Sequence, residues 1–131
     1  MRPTMDALLA AAAAEQQVSV RWLNMPEGWR GAYHLPSRTV YLCTCMSECD
    51  AVPTLMHELA HVAREDDGHQ ARPVEARIDR LVACRLIAPP EYRAAEALVG
   101  PHIGALAVEL DVPRWVVAAY RETLRRHKIV A

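Results

Sequence analysis

The sequence predicts an α+β fold with one small sheet and a larger helical part. Three β-rich segments lie close together within residues 18–45, whereas helical patterning covers the N-terminal residues and most of the chain after residue 50. The length of 131 residues is that of one domain, so we expect residues 1–131 to fold as a single domain.

The composition is that of a folded globular protein, with 52% hydrophobic and 24% charged residues. A net charge of −1 excludes a strong overall field that would attract nucleic acid or a membrane surface. The apolar run at residues 7–14 is too short for a membrane span and lacks a cleavage site after it, which indicates a helix and not an export signal. We therefore expect a cytoplasmic protein whose four cysteines stay reduced.

The first half of the chain predicts one helix followed by the sheet. Residues 3–17 are rich in strong helix formers, which favours an N-terminal helix. The β-rich segments 18–23, 29–35 and 39–45 follow, and turn-prone residues separate them. The short break at 36–38 predicts a hairpin between the last two segments.

Two longer helices come next. Helical patterning begins at Asp50, a good N-cap residue, and continues to about Glu65, with Gly68 just beyond it as a stop signal. A second helix is predicted over residues 73–87, and Pro89-Pro90 ends it because a residue before proline disfavours the α conformation.

The C-terminal subregion, residues 91–131, predicts two or three helices with breaks near residues 100–101 and 111–113. The second break lies between two apolar-patterned helices, a pattern similar to a helix-turn-helix. Packing within the protein and binding of DNA by a basic tail are both open for this subregion. The basic residues of the tail are Arg114, Arg121, Arg125, Arg126 and Lys128.

The first long helix carries the motif His57-Glu58-Leu59-Ala60-His61, which has the H-E-x-x-H spacing and would arise about 0.02 times by shuffling this composition. In a helix the two histidines lie about 40° and ~6 Å apart, so both imidazoles can meet one ion. Glu58 projects about 100° away and can reach a water on that ion without being a ligand. The opposite arc, which we expect to face the core, carries Leu55, Met56, Leu59, Val62 and Ala63.

A catalytic zinc site usually has three protein ligands and an open position for water. Glu75 and Asp79 lie one turn apart on the apolar side of the second helix, where a carboxylate is costly unless it is paired or bound to metal. We predict that Glu75 is the third zinc ligand and that Asp79 accepts a hydrogen bond from a ligand histidine. Two alternatives stay open: Asp79 is the ligand, or both carboxylates pair with arginines at the surface.

The order of H-E-L-A-H at 57–61, Glu75-x-x-x-Asp79 and A-C-R-L-I-A-P at 83–89 resembles the ImmA/IrrE family of metallopeptidases, especially short members from actinobacteria and their phages. As a pattern, the similarity covers roughly residues 15–125. It implies a zincin-like, gluzincin-type fold in which His57, His61 and Glu75 bind Zn²⁺ and Glu58 activates water.

The resemblance also implies that the chain cleaves a regulatory protein, since relatives in the family cleave or derepress transcriptional repressors. The alternative is a non-enzymatic regulator with a zinc ion, whose C-terminal helices bind DNA or a repressor. An extended substrate could add to a strand edge within residues 29–35 or 39–45. Side chains that could stabilise the oxyanion are Tyr33, His34, Tyr41, His69 and His102.

Cys43, Cys45 and Cys49 lie at the end of the last predicted strand and in the following loop. We expect half-buried structural thiols, because no second ligand pair completes a standard metal site. A redox role stays open, in which a thiol such as Cys49 reaches the zinc and silences the site.

Overall fold

A computed structural model describes the backbone of residues 2–130 and the side chains of residues 2–127. These residues form six helices and one small mixed sheet, which confirms the predicted α+β class. None of the helices in this range is long and apolar enough to cross a membrane. The elements are α1 (Met5–Ala14), β1 (Ser19–Leu23), β2 (Gly31–His34), β3 (Thr39–Cys43), α2 (Glu48–Arg64), α3 (Arg72–Leu86), α4 (Pro89–Val99), α5 (Ile103–Leu110) and α6 (Arg114–Val130).

The chain divides into two compact units, and the boundary between Glu75 and Ala76 lies inside α3. The first unit contains α1, the sheet, α2 and the first turn of α3. The second contains the rest of α3 and the three C-terminal helices. The expectation of a single folding domain stays a prediction.

The sheet of the first unit has the order β1-β3-β2, so β3 is its central strand. The predicted hairpin is confirmed, since β2 pairs antiparallel with β3, while β1 pairs parallel with β3. Val40 and Leu42 of β3 are fully buried, and they align with Tyr33 and Gly31 of β2 on one face of the sheet. Helix α2 packs against β2 and β3, and α1 packs against α2 and β1.

Helix α2 begins earlier than the sequence predicts. Ser47 is its N-cap, because the Ser47 hydroxyl accepts a hydrogen bond from the backbone N–H of Asp50. The prediction of Asp50 as N-cap is therefore wrong, since Asp50 already lies in the first turn. The helix ends at Arg64, and Glu65 follows in the left-handed conformation with a φ of 60°.

In the second unit, α5 packs against both α4 and α6. The predicted breaks near residues 100–101 and 111–113 are confirmed, and only three residues separate α5 from α6. Leu106, Val116 and Val117 are fully buried, so the facing sides of α5 and α6 are apolar.

The basic residues of the tail make contacts within the second unit. Arg121 donates hydrogen bonds to the Tyr92 hydroxyl and to the Pro101 carbonyl, and Arg125 pairs with Glu122 at 2.8 Å. The side chain of Lys128, which belongs to the same predicted patch, lies outside the described residues. The contacts of Arg121 favour a packing role for that residue, whereas Arg125 and Glu122 form an exposed ion pair within α6.

Cys43 and Cys45 form a disulfide, so the prediction that every thiol stays reduced is wrong for this pair. Cys43 ends β3 and Cys45 lies in the turn that follows, which brings the two side chains together. Their Cα atoms lie 5.2 Å apart, within the range that a disulfide requires. Cys49 is exposed in the first turn of α2.

Candidate metal centre

Three potential ligands converge in the first unit, as the sequence predicts. His57 and His61 of α2 and Glu75 of α3 each offer one atom, and these atoms all lie within 4.8 Å of one another. The two histidine Nε2 atoms are 3.2 Å apart. Glu75 Oε1 lies 2.8 Å from Nε2 of His57 and 3.1 Å from Nε2 of His61.

Asp66 orients one of the two rings. Its Oδ2 atom lies 2.9 Å from Nδ1 of His61 and accepts a second hydrogen bond from Nε of Arg64 at 2.8 Å. Burial raises the pKa of Asp66, but the hydrogen bonds from His61 and Arg64 outweigh it and hold the pKa below its usual value. An ionised carboxylate can only accept, so the His61 proton lies on Nδ1 and the lone pair of its Nε2 faces the centre.

Glu75 is fixed by its own backbone partner. Its Oε2 atom accepts a hydrogen bond from the N–H of Gln70 at 2.9 Å. Burial raises the pKa of Glu75, but the hydrogen bond from the Gln70 N–H and the adjacent imidazoles of His57 and His61 outweigh it and lower the pKa. Glu75 also lies in the first turn of α3, where the helix dipole stabilises a negative charge.

The chemistry of this set of atoms fits a metal ion. The carboxylate of Glu75 and the lone pair of His61 are both acceptors, so they repel each other unless a proton or a cation lies between them. Zinc bonds of about 2.0–2.1 Å in a tetrahedron place neighbouring ligand atoms roughly 3.3–3.4 Å apart. The observed separations of 2.8, 3.1 and 3.2 Å approach that value. Imidazole and carboxylate suit several transition ions, so the geometry supports a metal without naming it.

Glu58 lies beside the three ligand residues without being one of them. Its side chain is only 3% exposed, and Oε1 has no hydrogen-bond partner among the described residues. Burial raises the pKa of Glu58, and the nearby histidines at positions 57, 61 and 69 lower it by less. A buried carboxylate without a partner is costly to the fold, which is the pattern expected of a functional group.

The predicted division of α2 into a core face and a histidine face is only partly confirmed. Leu55, Met56 and Val62 are buried, but Leu59 is half-buried and Ala63 is exposed. His57, Glu58 and His61 are themselves buried, since the strands and the segment after α2 cover their side of the helix.

No protein family model matches this sequence, and a search of curated proteins finds no match. The similarity to ImmA/IrrE peptidases therefore stays a prediction.

Gly31 packs against the candidate site, and sequence reasoning missed it. A Cβ atom at this position would lie 3.2 Å from Cγ of Glu58, 3.1 Å from the Tyr41 carbonyl and 3.0 Å from a methyl group of Thr54. Glycine thus lets β2 approach the helix directly over Glu58. The sequence offers no local indication of this role, because the contact joins a strand to a distant helix.

The predicted strand edge for substrate binding is wrong for β3, and the edge of β2 is partly covered. Strand β3 is paired on both sides, so it has no free edge. The outer side of β2 is covered by the segment that follows α2: the Gly68 N–H donates to the Tyr33 carbonyl at 2.9 Å, and the Gly31 carbonyl accepts from Nε2 of His69 at 3.1 Å. The Asp67 carboxylate also accepts from the Leu35 N–H.

The candidates for oxyanion stabilisation lie in different places. The Tyr33 hydroxyl is buried, His34 bonds to Ser37 at 2.7 Å, and Tyr41 is half-buried on β3. His102 caps α5 in the second unit. His69 is the candidate beside Glu58, because a positive charge on it would lower the pKa of that carboxyl.

Asp79 lies one turn after Glu75 on α3, is half-buried and belongs to the second unit. Its role as the partner of a ligand histidine stays a prediction. The carboxylate that hydrogen-bonds to His61 is that of Asp66, which the sequence analysis did not name. The sequence indicated this role only by position, since Asp66 lies five residues after His61 and just beyond the end of α2.

We expect Asp66→Asn to weaken metal binding by about 10–100-fold. A neutral amide orients the His61 ring less firmly than a carboxylate and makes the imidazole a less basic metal ligand. A competition titration of Zn²⁺ against a chromophoric chelator measures this change. Asp67→Asn is the matched control, since its amide oxygen can still accept from the Leu35 N–H. Equal affinities for the two variants would contradict the role of Asp66.

Proposed function

We propose that this protein is a zinc-dependent endopeptidase of the ImmA/IrrE type, with a zincin-like fold, that cleaves a regulatory protein. The observation that carries the proposal is the convergence of His57, His61 and Glu75 beside a buried carboxylate, Glu58, that is not a ligand. The H-E-x-x-H motif and the downstream glutamate support the same family. That the substrate is a transcriptional repressor rests on the resemblance alone.

Each residue has a distinct part in the proposed reaction. His57, His61 and Glu75 would hold the ion, and the hydrogen bond from His61 to Asp66 keeps the lone pair of His61 directed at the site. A bound zinc ion supplies a Lewis acid that activates water and polarises the scissile carbonyl. Glu58 accepts a proton from the attacking water and delivers it to the leaving amine, so no covalent intermediate with the protein forms.

The set of ligands favours a catalytic site over a structural one. Structural zinc sites usually have four protein ligands and are rich in cysteine. Among the described residues, the group that could hold a metal has three members and contains no cysteine. Three protein ligands would leave one position of a bound zinc ion for water, as in catalytic zinc sites.

The alternative function, a zinc-containing regulator that binds DNA or a repressor through its C-terminal helices, lacks a comparable observation. Arg121 and Arg125 already make contacts inside the second unit. The same alternative also leaves the buried Glu58 without a role.

The proposal predicts metal-dependent hydrolysis of peptides. We expect the zinc-loaded protein to cleave members of a random peptide library, the metal-free protein to be inactive, and one equivalent of Zn²⁺ to restore cleavage. Mass spectrometry of the products identifies new N-termini, and metal analysis confirms loading. A zinc-saturated protein that leaves the whole library intact would overturn the proposal.

A further inference from the structure

The first unit carries a cavity on the outer face of the sheet. Its volume is about 440 Å³, within the range of pockets that hold small ligands or side chains. Most of its wall is apolar or aromatic. The described residues that line it are Leu23, Met25, Trp29, Ala32, Tyr33, His34, Tyr41, Asp67 and Gly68.

Two large hydrophobic side chains that line this cavity are exposed to solvent. Among the described residues of the first unit, the exposed large hydrophobic side chains are Trp22, Leu23 and Trp29, and the last two line the cavity. Trp29 is 43% exposed, so a large apolar surface meets water there. Burying it against an apolar group is favourable, because apolar surface is then removed from water.

Two polar side chains of the lining, those of Asp67 and His34, have local partners. The Asp67 carboxylate accepts from the Leu35 N–H, and His34 bonds to Ser37. Because both side chains already have hydrogen-bond partners in the protein, neither needs a polar ligand to satisfy it. The cavity therefore fits an apolar ligand better than a charged one.

A short chain of contacts joins the cavity to the candidate metal centre. The Trp29 ring lies 4.4 Å from the His69 ring, measured between centroids. His69 donates to the Gly31 carbonyl at 3.1 Å. Gly31 in turn packs over Glu58, since a Cβ there would lie 3.2 Å from its Cγ.

We propose that this cavity is the specificity pocket of the enzyme and holds a large apolar side chain, aromatic or branched aliphatic, of a peptide substrate near the bond that is cleaved. Trp29 forms its wall and determines the preference. The role as a subsite rests on the proposed peptidase function, whereas the binding of an apolar side chain does not.

Binding is tested first, without catalysis. The metal-free protein is titrated with N-acetyl-phenylalaninamide, N-acetyl-leucinamide and N-acetyl-glutamine amide, and NMR follows the indole N–H of each tryptophan and the amide of Gly68. We expect shifts at Trp29 and Gly68 with the two apolar probes only. Trp29→Ala should weaken their binding by about 10-fold or more.

Trp22→Ala is the matched control, because Trp22 is 46% exposed but does not line the cavity. It should bind the apolar probes as the unaltered protein does. Ala32→Leu is a second variant, which fills part of the cavity and leaves Trp29 in place. It should reduce binding of the larger probe most.

Cleavage is tested next, with zinc-loaded protein and a peptide library that varies each position around the scissile bond. We expect one position to prefer aromatic or branched aliphatic residues, and Trp29→Ala to reduce kcat/KM for those peptides by about 10-fold while Trp22→Ala does not. Apolar probes that bind without any cleavage would overturn the peptidase function and leave the pocket as a binding site. Cleavage or binding that Trp29→Ala and Ala32→Leu do not alter would overturn the pocket.

Discussion

Glu58→Gln should abolish peptide hydrolysis while leaving the fold and metal binding intact. The amide has nearly the same shape but cannot accept a proton from water, and general base catalysis contributes about 10²–10⁴-fold to such rates. Because Glu58 is not one of the three ligand residues, zinc affinity should not fall. Single-turnover cleavage and metal analysis of the same sample measure both quantities.

The thermal stability of the variant gives an independent check. Burial raises the pKa of Glu58, so the ionised carboxylate is less stable in the folded protein than in the unfolded chain. A glutamine never ionises, and the metal-free variant should melt at the same temperature as the original or higher at neutral pH. Glu65→Gln, an exposed change just after the same helix, is the matched control and should keep full activity. Full activity in Glu58→Gln would show that the carboxylate is not the base.

Local patterns account for most of the fold that the sequence predicts. The β2–β3 hairpin and the breaks between the C-terminal helices depend on residues close in the chain, and both are confirmed. The central place of β3 and its parallel pairing with β1 depend on segments about twenty residues apart. No periodicity in the sequence specifies such a pairing, so the strand order was not predictable.

The same distinction applies to the candidate site. His57 and His61 share a helical face because of their spacing, and this geometry needs no tertiary information. Gly31 and Asp66 were missed because their roles depend on close approach between distant segments and on the left-handed turn at Glu65. The Cys43–Cys45 disulfide was missed because the predicted strand extends to Cys45, whereas β3 ends at Cys43 and a turn brings the two cysteines together.

Glu75→Gln should weaken zinc binding more than any change outside the three ligands. The substitution keeps an oxygen that can accept from the Gln70 N–H, but it removes the negative charge that faces the two histidines. Loss of a residue that hydrogen-bonds to a ligand costs about 10–100-fold in metal affinity. Loss of the negative charge of a ligand itself should therefore cost more than that. A chelator competition titration gives the dissociation constant.

The comparison with Asp79→Asn decides between the two carboxylates of α3. If Glu75 is the ligand and Asp79 only orients a histidine, Asp79→Asn should lose no more than about 100-fold in affinity. Zinc that binds the folded state raises the melting temperature in proportion to the logarithm of its concentration over the dissociation constant. This zinc-dependent shift should disappear in Glu75→Gln and persist, reduced, in Asp79→Asn. The reverse order would make Asp79 the third ligand and would leave the close approach of Glu75 to both imidazoles as a hydrogen-bonding contact alone.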